Sequence, residues 1–346
     1  MPKTYNNLWG QMVSFESLFK AYKAAVSNKR YRSSSLAYRE RLEENLLNTL
    51  ALLEQRKWQP APYREFCVFE PKKRIINAPA FKDRVIHHAL VRIIEPLFER
   101  KFIFDSYACR KGKGTHAAKE RVEKFAMAAG AASGSYYVLK GDIKAYFYSI
   151  DREVLVRLIE RTVADKSILW LIRQIIAADG ESRGIPIGAL TSQLFANVYL
   201  DALDHFVKDE LGIRMYVRYM DDFVVIHHDK DHLKSLLAGI TAFVERELHL
   251  ELNPKTTIFK SGRGECHPID FCGYRIWPDC TKPRKRTVKV ARRRFKKLAV
   301  LHSQGSLSFT KLRSSIMSFI GYMKHCSGRK SLESILAGIK VKSVSA

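Results

Sequence analysis

Three acidic residues stand where they could do chemistry. Asp142 comes near the end of the apolar stretch from Tyr136 to Ile143, and Asp221 and Asp222 interrupt RMYVRYMDDFVVIH between two apolar runs. A short polar break of this kind predicts a β-hairpin with both aspartates at its tip. Adjacent carboxylates repel, and a fold that keeps them together supplies a cation. If the strand ending at Asp142 neighbours the hairpin, its carboxylate and that of Asp221 converge. Two divalent ions about 3.5–4 Å apart would then serve phosphoryl transfer. Magnesium suits such a site, taking one or two carboxylates plus phosphate oxygens of the substrate, with manganese as a substitute. Asp222 is expected to tune the field or orient the pair.

The composition says what those phosphates belong to. The 346 residues carry 60 Lys and Arg against 35 Asp and Glu, a formal net charge of +25. An excess of that size calls for a polyanionic partner, either nucleic acid or an anionic membrane surface. No apolar stretch approaches the roughly 20 residues that span a bilayer, and MPKTYNNLWG has no apolar signal-peptide core. Nucleic acid is therefore the expected partner and membrane is not. The six cysteines form no CxxC pair, and a zinc set of Cys266, His267, Cys272 and Cys280 would need irregular spacing. Reduced thiols in a cytoplasmic protein are the expectation.

The elements that must position the acids can be read from periodicity. Residues 14–27 and 36–55 predict amphipathic helices, and YREFCVFEPKKRIINAPA predicts strand, basic turn and strand. A helix follows over 83–101. Residues 136–143 predict a strand, and Asp151 the N-cap of the next helix. GIPIGALTSQLFANVYL predicts a glycine-proline loop feeding a helix that Thr191 or Ser192 could cap, and IDFCGYRIW a further strand over 269–277. Ten of the sixteen residues from Lys282 to Lys297 are Lys or Arg, while Val288, Ala291, Phe295 and Leu298 keep a helical apolar stripe. A basic helical domain is thus expected from about 280.

The order of these parts resembles a reverse transcriptase over nearly the whole chain. Asp142 with IKAYF is similar to the family's first catalytic motif, YMDD to its signature hairpin, SQLFANVYL to the motif-B helix and FCGYRIW to the primer-grip strand. The resemblance implies an α/β (α+β) right-hand polymerase, with fingers over 1–135 including N-terminal helices. It implies a palm of antiparallel sheet packed on helices over 136–280, with a fingers segment near 165–187, and a small helical thumb over 281–346. It makes Asp142, Asp221 and Asp222 catalytic, with Asp142, the Ile143 backbone carbonyl and Asp221 as metal ligands. It places Arg74 and Lys72 on the incoming triphosphate, where a guanidinium fork matches phosphate geometry. Phe147 takes the place of an aromatic gate against a 2′-hydroxyl, with Tyr146 and Tyr148 also available and core packing as the plain reading. Ile187 and Gln193 fall at the nucleotide, and Lys255 falls where a lysine protonates pyrophosphate. The basic face with Arg284, Lys285, Arg292, Arg293 and Lys296 is a candidate for duplex backbone.

Motif B narrows the resemblance. Most relatives carry Gln-Gly and then Ser-Pro; here Ile187-Gly188 and Ser192-Gln193 stand instead. GIPIGALTSQ, with YREFCVFEPK, FKDR and SYACRKGKGTHA, resembles the reverse transcriptases of diversity-generating retroelements. That group implies a prokaryotic or phage-encoded enzyme that copies a structured template-repeat RNA into cDNA from dNTPs. It also implies a small basic oligomeric accessory protein, mutagenic retrohoming, and errors concentrated at template adenines. Isoleucine neither donates nor accepts a hydrogen bond, so Ile187 is expected to weaken discrimination between right and wrong pairs. Retron-type and group II intron-type enzymes are the alternatives within the same chemistry. An idle RNA-binding scaffold is the alternative outside it.

Overall fold

The computed structural model describes residues 4–69, 73–263 and 267–339. These form two compact units. One draws on 4–110, 142–212 and 238–254, and the other on 111–141, 213–237 and 255–339.

The first unit is helical, with one small hairpin. Helix Phe15–Val26 starts where Ser14 accepts from the Ser17 N–H, a side-chain cap that satisfies an otherwise orphaned donor. It packs against helix Phe81–Glu99, and Leu18, Ala21, Val85, Ala89 and Leu90 are fully buried. The expected 36–55 helix is two helices, Ser33–Glu40 and Leu42–Glu54, broken at Arg41. Each half buries its own set, Ser35 and Tyr38 in the first and Leu46, Thr49 and Leu53 in the second. Strands β1 (Arg64–Val68) and β2 (Arg74–Ala78) pair antiparallel. Asp151 and Asp165 cap helices Arg152–Glu160 and Lys166–Ile176, each accepting two backbone N–H groups of the helix it starts.

Helix Leu190–His205 runs through the middle of this unit, against Phe81–Glu99 and Arg152–Glu160. It corrects one expectation, because neither Thr191 nor Ser192 caps it. The N-cap is Ala189, which makes no side-chain hydrogen bond, and both hydroxyl residues are buried inside the helix. The preceding loop is held by β2 instead, through the Asn77 N–H donating to the Ile187 carbonyl at 2.8 Å. The Thr191 hydroxyl shares a 3.1 Å hydrogen bond with His87 Nδ1.

The second unit contains the main sheet. Strands β3 (Ser135–Asp142), β4 (Tyr216–Tyr219), β5 (Asp222–His227) and β6 (Thr257–Gly262) lie in the order β4-β5-β3-β6. β4 pairs antiparallel with β5, and β3 with β6. Phe223, Val224, Val225 and Ile226 are all buried, which explains a continuous rather than alternating apolar run. Helix Thr115–Ser133 packs on β4 and β5. Where one strand was expected over 269–277, the chain makes β7 (Ile269–Phe271) and β8 (Tyr274–Ile276), with β9 (Thr281–Pro283) completing a second sheet. Cys272 and Gly273 make that turn, both at positive φ, the conformation that glycine adopts without steric cost. Helices Lys285–Ser303, Phe309–Met323 and Arg329–Leu336 follow, around Ala291, Phe295 and Ile335. No described helix is long and apolar enough to cross a membrane.

Gly141 decides how closely two of these strands approach. A Cβ at this position would lie 2.0 Å from Cζ of the buried Phe223 ring. Replacing Gly141 with Ala is expected to cost about 1–3 kcal/mol through overpacking. Thermal denaturation should show the loss, and Phe223→Leu in the same chain should recover part of it.

His87 supplies a pH dependence. Burial first, then the charges of His88 and Arg84, push its imidazole down to about 4 from 6.5. Between those values the unfolded chain binds the proton and the folded chain does not, so stability falls as pH drops from 6.5 towards 4. The limit of the effect is about 3 kcal/mol. Denaturant titrations across this window should show a shallower decline for His87→Asn than for the parent chain.

Candidate active site

The hairpin does not carry both aspartates at its tip. Tyr219 pairs with Asp222 across β4 and β5, so the turn consists of Met220 and Asp221. Met220 sits at φ 57°, a left-handed conformation that is uncommon for such a side chain and concentrates at functional turns. The carbonyl of Met220 accepts from Arg218 Nη1 at 3.0 Å. Arg218 is 0% exposed, the largest fully buried side chain among the described residues. A buried guanidinium needs its donors satisfied, and here one of them fixes the turn that presents Asp221.

Asp222, one residue on, has a different fate. Its carboxylate is ion-paired with Lys140 Nζ, the two side chains being 21% and 28% exposed for Lys140 and Asp222 respectively. The Lys140 ammonium also lies 5.2 Å from the Phe271 ring centroid, within range of a cation–π contact. This pair joins the end of β3 to the start of β5, as the strand order requires. Because side chains alternate along a strand, Lys140 and Asp142 share one face of β3.

Asp142 is held from the opposite side of its strand. Its Oδ2 accepts from Asn253 Nδ2 at 2.8 Å, and its carbonyl accepts from the Asn253 N–H at 2.7 Å. The Lys144 N–H donates to the Glu251 carbonyl, and Ile143 forms an antiparallel bridge with Leu252. The flanking residues make both hydrogen bonds, so Ile143 and Leu252 are a non-hydrogen-bonded pair. The Ile143 carbonyl therefore points away from Leu252 and takes no part in that ladder.

The donor chemistry fits a hard divalent cation. The Asp142 and Asp221 carboxylates and the Ile143 carbonyl, the ligands expected from the motifs, offer oxygen donors of the kind magnesium takes together with phosphate oxygens and water. Among the described residues no three His, Cys, Asp or Glu side chains form a group that could hold a metal by itself.

The remaining expected residues lie on separate elements. Phe147 is half-buried in the short helix Tyr146–Ser149. Tyr146 is the core aromatic there, with its hydroxyl donating to the Ala196 carbonyl, and Tyr148 is exposed. The Ile185 N–H donates to the Phe147 carbonyl at 2.8 Å, and Gly184, at φ +81°, leaves only 3.0 Å between a would-be Cβ and that oxygen. Ile187 is half-buried. Gln193 is exposed and lines a cavity of about 750 Å³ with Lys29, Arg32, Arg64, Arg84 and Gly188. Arg74 is exposed at the start of β2, and Lys72 lies outside the described residues. Lys255 is exposed in the turn before β6. On helix Lys285–Ser303 the side chains of Lys285, Arg292, Arg293 and Lys296 are exposed, and Arg292 donates to Ser334 Oγ. Arg284 is ion-paired with Asp270.

The family model for Reverse transcriptase (RNA-dependent DNA polymerase) matches residues 69–276. The chain belongs to the reverse transcriptase family. It is 25% identical to Protein YkfC of Escherichia coli strain K12 over 58% of this chain and 63% of that protein. It is 22% identical to the Group II intron-encoded protein LtrA of Lactococcus lactis subsp. cremoris, over 72% of this chain and 53% of LtrA. This reverse transcriptase chain therefore spans between half and two thirds of the length of those two relatives. Apo telomerase from Candida Tropicalis aligns with a TM-score of 0.50 at 13% identity, covering 85% of this chain and 66% of that one. The fold is that of right-hand polymerases, mixed helix and antiparallel sheet.

Lys140, Arg218 and Asn253 are the site neighbours that the motifs did not single out. Arg218 had a signal, a charge inside an apolar strand. Lys140 had the same signal, a charge inside the apolar stretch 136–143, whereas Asn253 had none, because its partner is distant in sequence. The Lys140–Asp222 pair should give a double-mutant coupling of about 1–3 kcal/mol, between exposed and buried pairs. Urea denaturation of Lys140→Met, Asp222→Asn and the double variant measures it, and additive losses would mean the pair contributes nothing.

Proposed function

We propose that this chain is an RNA-directed DNA polymerase that extends a primer by two-metal nucleotidyl transfer. The observation that carries the reading is the strand order: β3, which ends at Asp142, neighbours β5, which begins directly after Asp221. The family match and the right-hand fold support it, as does the excess of basic residues. In this reading the fingers, palm and thumb correspond to 1–135, 136–280 with a fingers segment near 165–187, and 281–346.

Asp142, the Ile143 carbonyl and Asp221 would hold magnesium, with manganese as a substitute. Bound there, the cations would favour the ionised primer 3′-hydroxyl and neutralise charge on the departing pyrophosphate. The chain does the rest. Arg74 and Lys72 would clamp the triphosphate. Lys255 would donate a proton to the leaving pyrophosphate oxygen. Phe147 would lie under the sugar, where a 2′-hydroxyl meets the ring. The basic cavity beside Gln193 suits a template phosphate backbone, and the exposed cations of helix Lys285–Ser303 suit the RNA–cDNA duplex. Primer extension on an RNA template with dNTPs tests this. Asp142→Asn or Asp221→Asn should abolish extension while RNA binding is retained; loss of RNA binding without loss of anything chemical would support the scaffold.

The finer reading is a retroelement enzyme for targeted gene diversification, working with a small basic accessory protein on a structured template-repeat RNA. GIPIGALTSQ supports it. The similarity to LtrA favours a group II intron-type enzyme instead, and error patterns separate the two. Ile187 is anchored through its carbonyl, so replacement with Gln exchanges the side chain with that anchor in place. Sequencing of the cDNA should show misincorporation opposite template adenines in the parent chain and several-fold less in Ile187→Gln. A parent chain that copies adenines as accurately as other bases would favour the intron-type enzyme.

A further inference from the structure

Two of the three acids of the candidate site are held by chemically different partners. Lys140 meets the charge of Asp222 with a charge of its own. Asn253 meets Asp142 with a neutral amide at 2.8 Å. An ammonium lowers the net charge that a carboxylate offers to a cation, whereas an amide orients the carboxylate and leaves that charge intact. Asn253 is also fixed at its own backbone, through the 2.7 Å hydrogen bond from its N–H to the Asp142 carbonyl. Side chain and main chain thus grip the same residue at two points, which ties the carboxylate torsion to the ladder of residues 251–253 on 142–144.

We infer that Asn253 is a positioning residue for Asp142: it occupies Oδ2 and so turns Oδ1 towards the cation. The inference rests on the polymerase reading, since it assigns Asn253 a purpose only where Asp142 is a metal ligand. The adjoining Ile143 carbonyl points away from the same 251–253 segment. One short ladder therefore consumes the Asp142 carbonyl and leaves the next carbonyl along to serve as a ligand. Groups that orient a metal ligand are worth about 10–100-fold in affinity or activity when removed, although they touch neither cation nor substrate.

The test uses the full chain and manganese as the probe. Manganese binding is followed by electron paramagnetic resonance in the absence of nucleotide, with primer extension and thermal denaturation beside it. Asn253→Ala keeps the backbone hydrogen bond. Its expected effects are about tenfold weaker manganese binding and about tenfold lower kcat, an unchanged KM for dNTP, and a small shift in Tm. Asn253→Ser, which retains a shorter donor, should fall between Ala and the parent, and it stands in for Ala if that variant does not fold. A lower Tm with manganese binding and kcat within twofold of the parent would make Asn253 a structural clip and overturn the inference. Asp142→Asn is the control. If it too leaves manganese binding unchanged, the metal-site reading fails and the Asn253 inference falls with it. If Asp142→Asn weakens binding and Asn253→Ala does not, only the inference fails.

Discussion

The contact between a missing side chain and an aromatic ring sets the geometry of the main sheet. Gly141 has no Cβ, and the Phe223 ring occupies that space. Close packing of this kind tolerates little change in volume. It settles β5 against β3, and the ion pair between Lys140 and Asp222 follows from the same approach. In the turn beyond, Met220 is left-handed and its carbonyl is held by the buried Arg218, which fixes the backbone that carries Asp221.

A second constraint operates in the first unit. The loop entering helix Leu190–His205 is fastened to β2 by the Asn77–Ile187 hydrogen bond, and Gly188, at φ +124°, leaves 2.8 Å between a would-be Cβ and the Ile76 methyl. The same loop is fastened at its other end to the backbone of Phe147. Residues 147, 187 and 193, expected from the motifs to surround a nucleotide, are thus linked through one short segment. The link is made by main-chain atoms, so their side chains can vary while the loop keeps its place.

Much of this was legible in the residues. The Asp151 cap, the hairpin signal around 221, the strand ending at Asp142 and the basic helix with its apolar stripe all follow from periodicity and capping chemistry. Some local readings went astray for identifiable reasons. Thr191 and Ser192 have the chemistry of caps, but a loop fastened from outside starts the helix before them. The 269–277 stretch reads as one apolar run, and only the positive φ angles of Cys272 and Gly273 turn it into a hairpin. Asp222 reads as a tip residue, yet it pairs with Tyr219 and belongs to the strand.

By itself, the sequence determined the family, the apolar runs that become strands and helices, and the three acids available for chemistry. Those follow from residue type and spacing along the chain. Only the tertiary structure decided which donors Asp142 and Asp222 receive: Asn253 lies 111 residues from Asp142, and Lys140 lies 82 from Asp222. Periodicity tells which way a side chain faces, whereas a hydrogen bond across such distances depends on strand order and register. Both are fixed when the whole sheet packs.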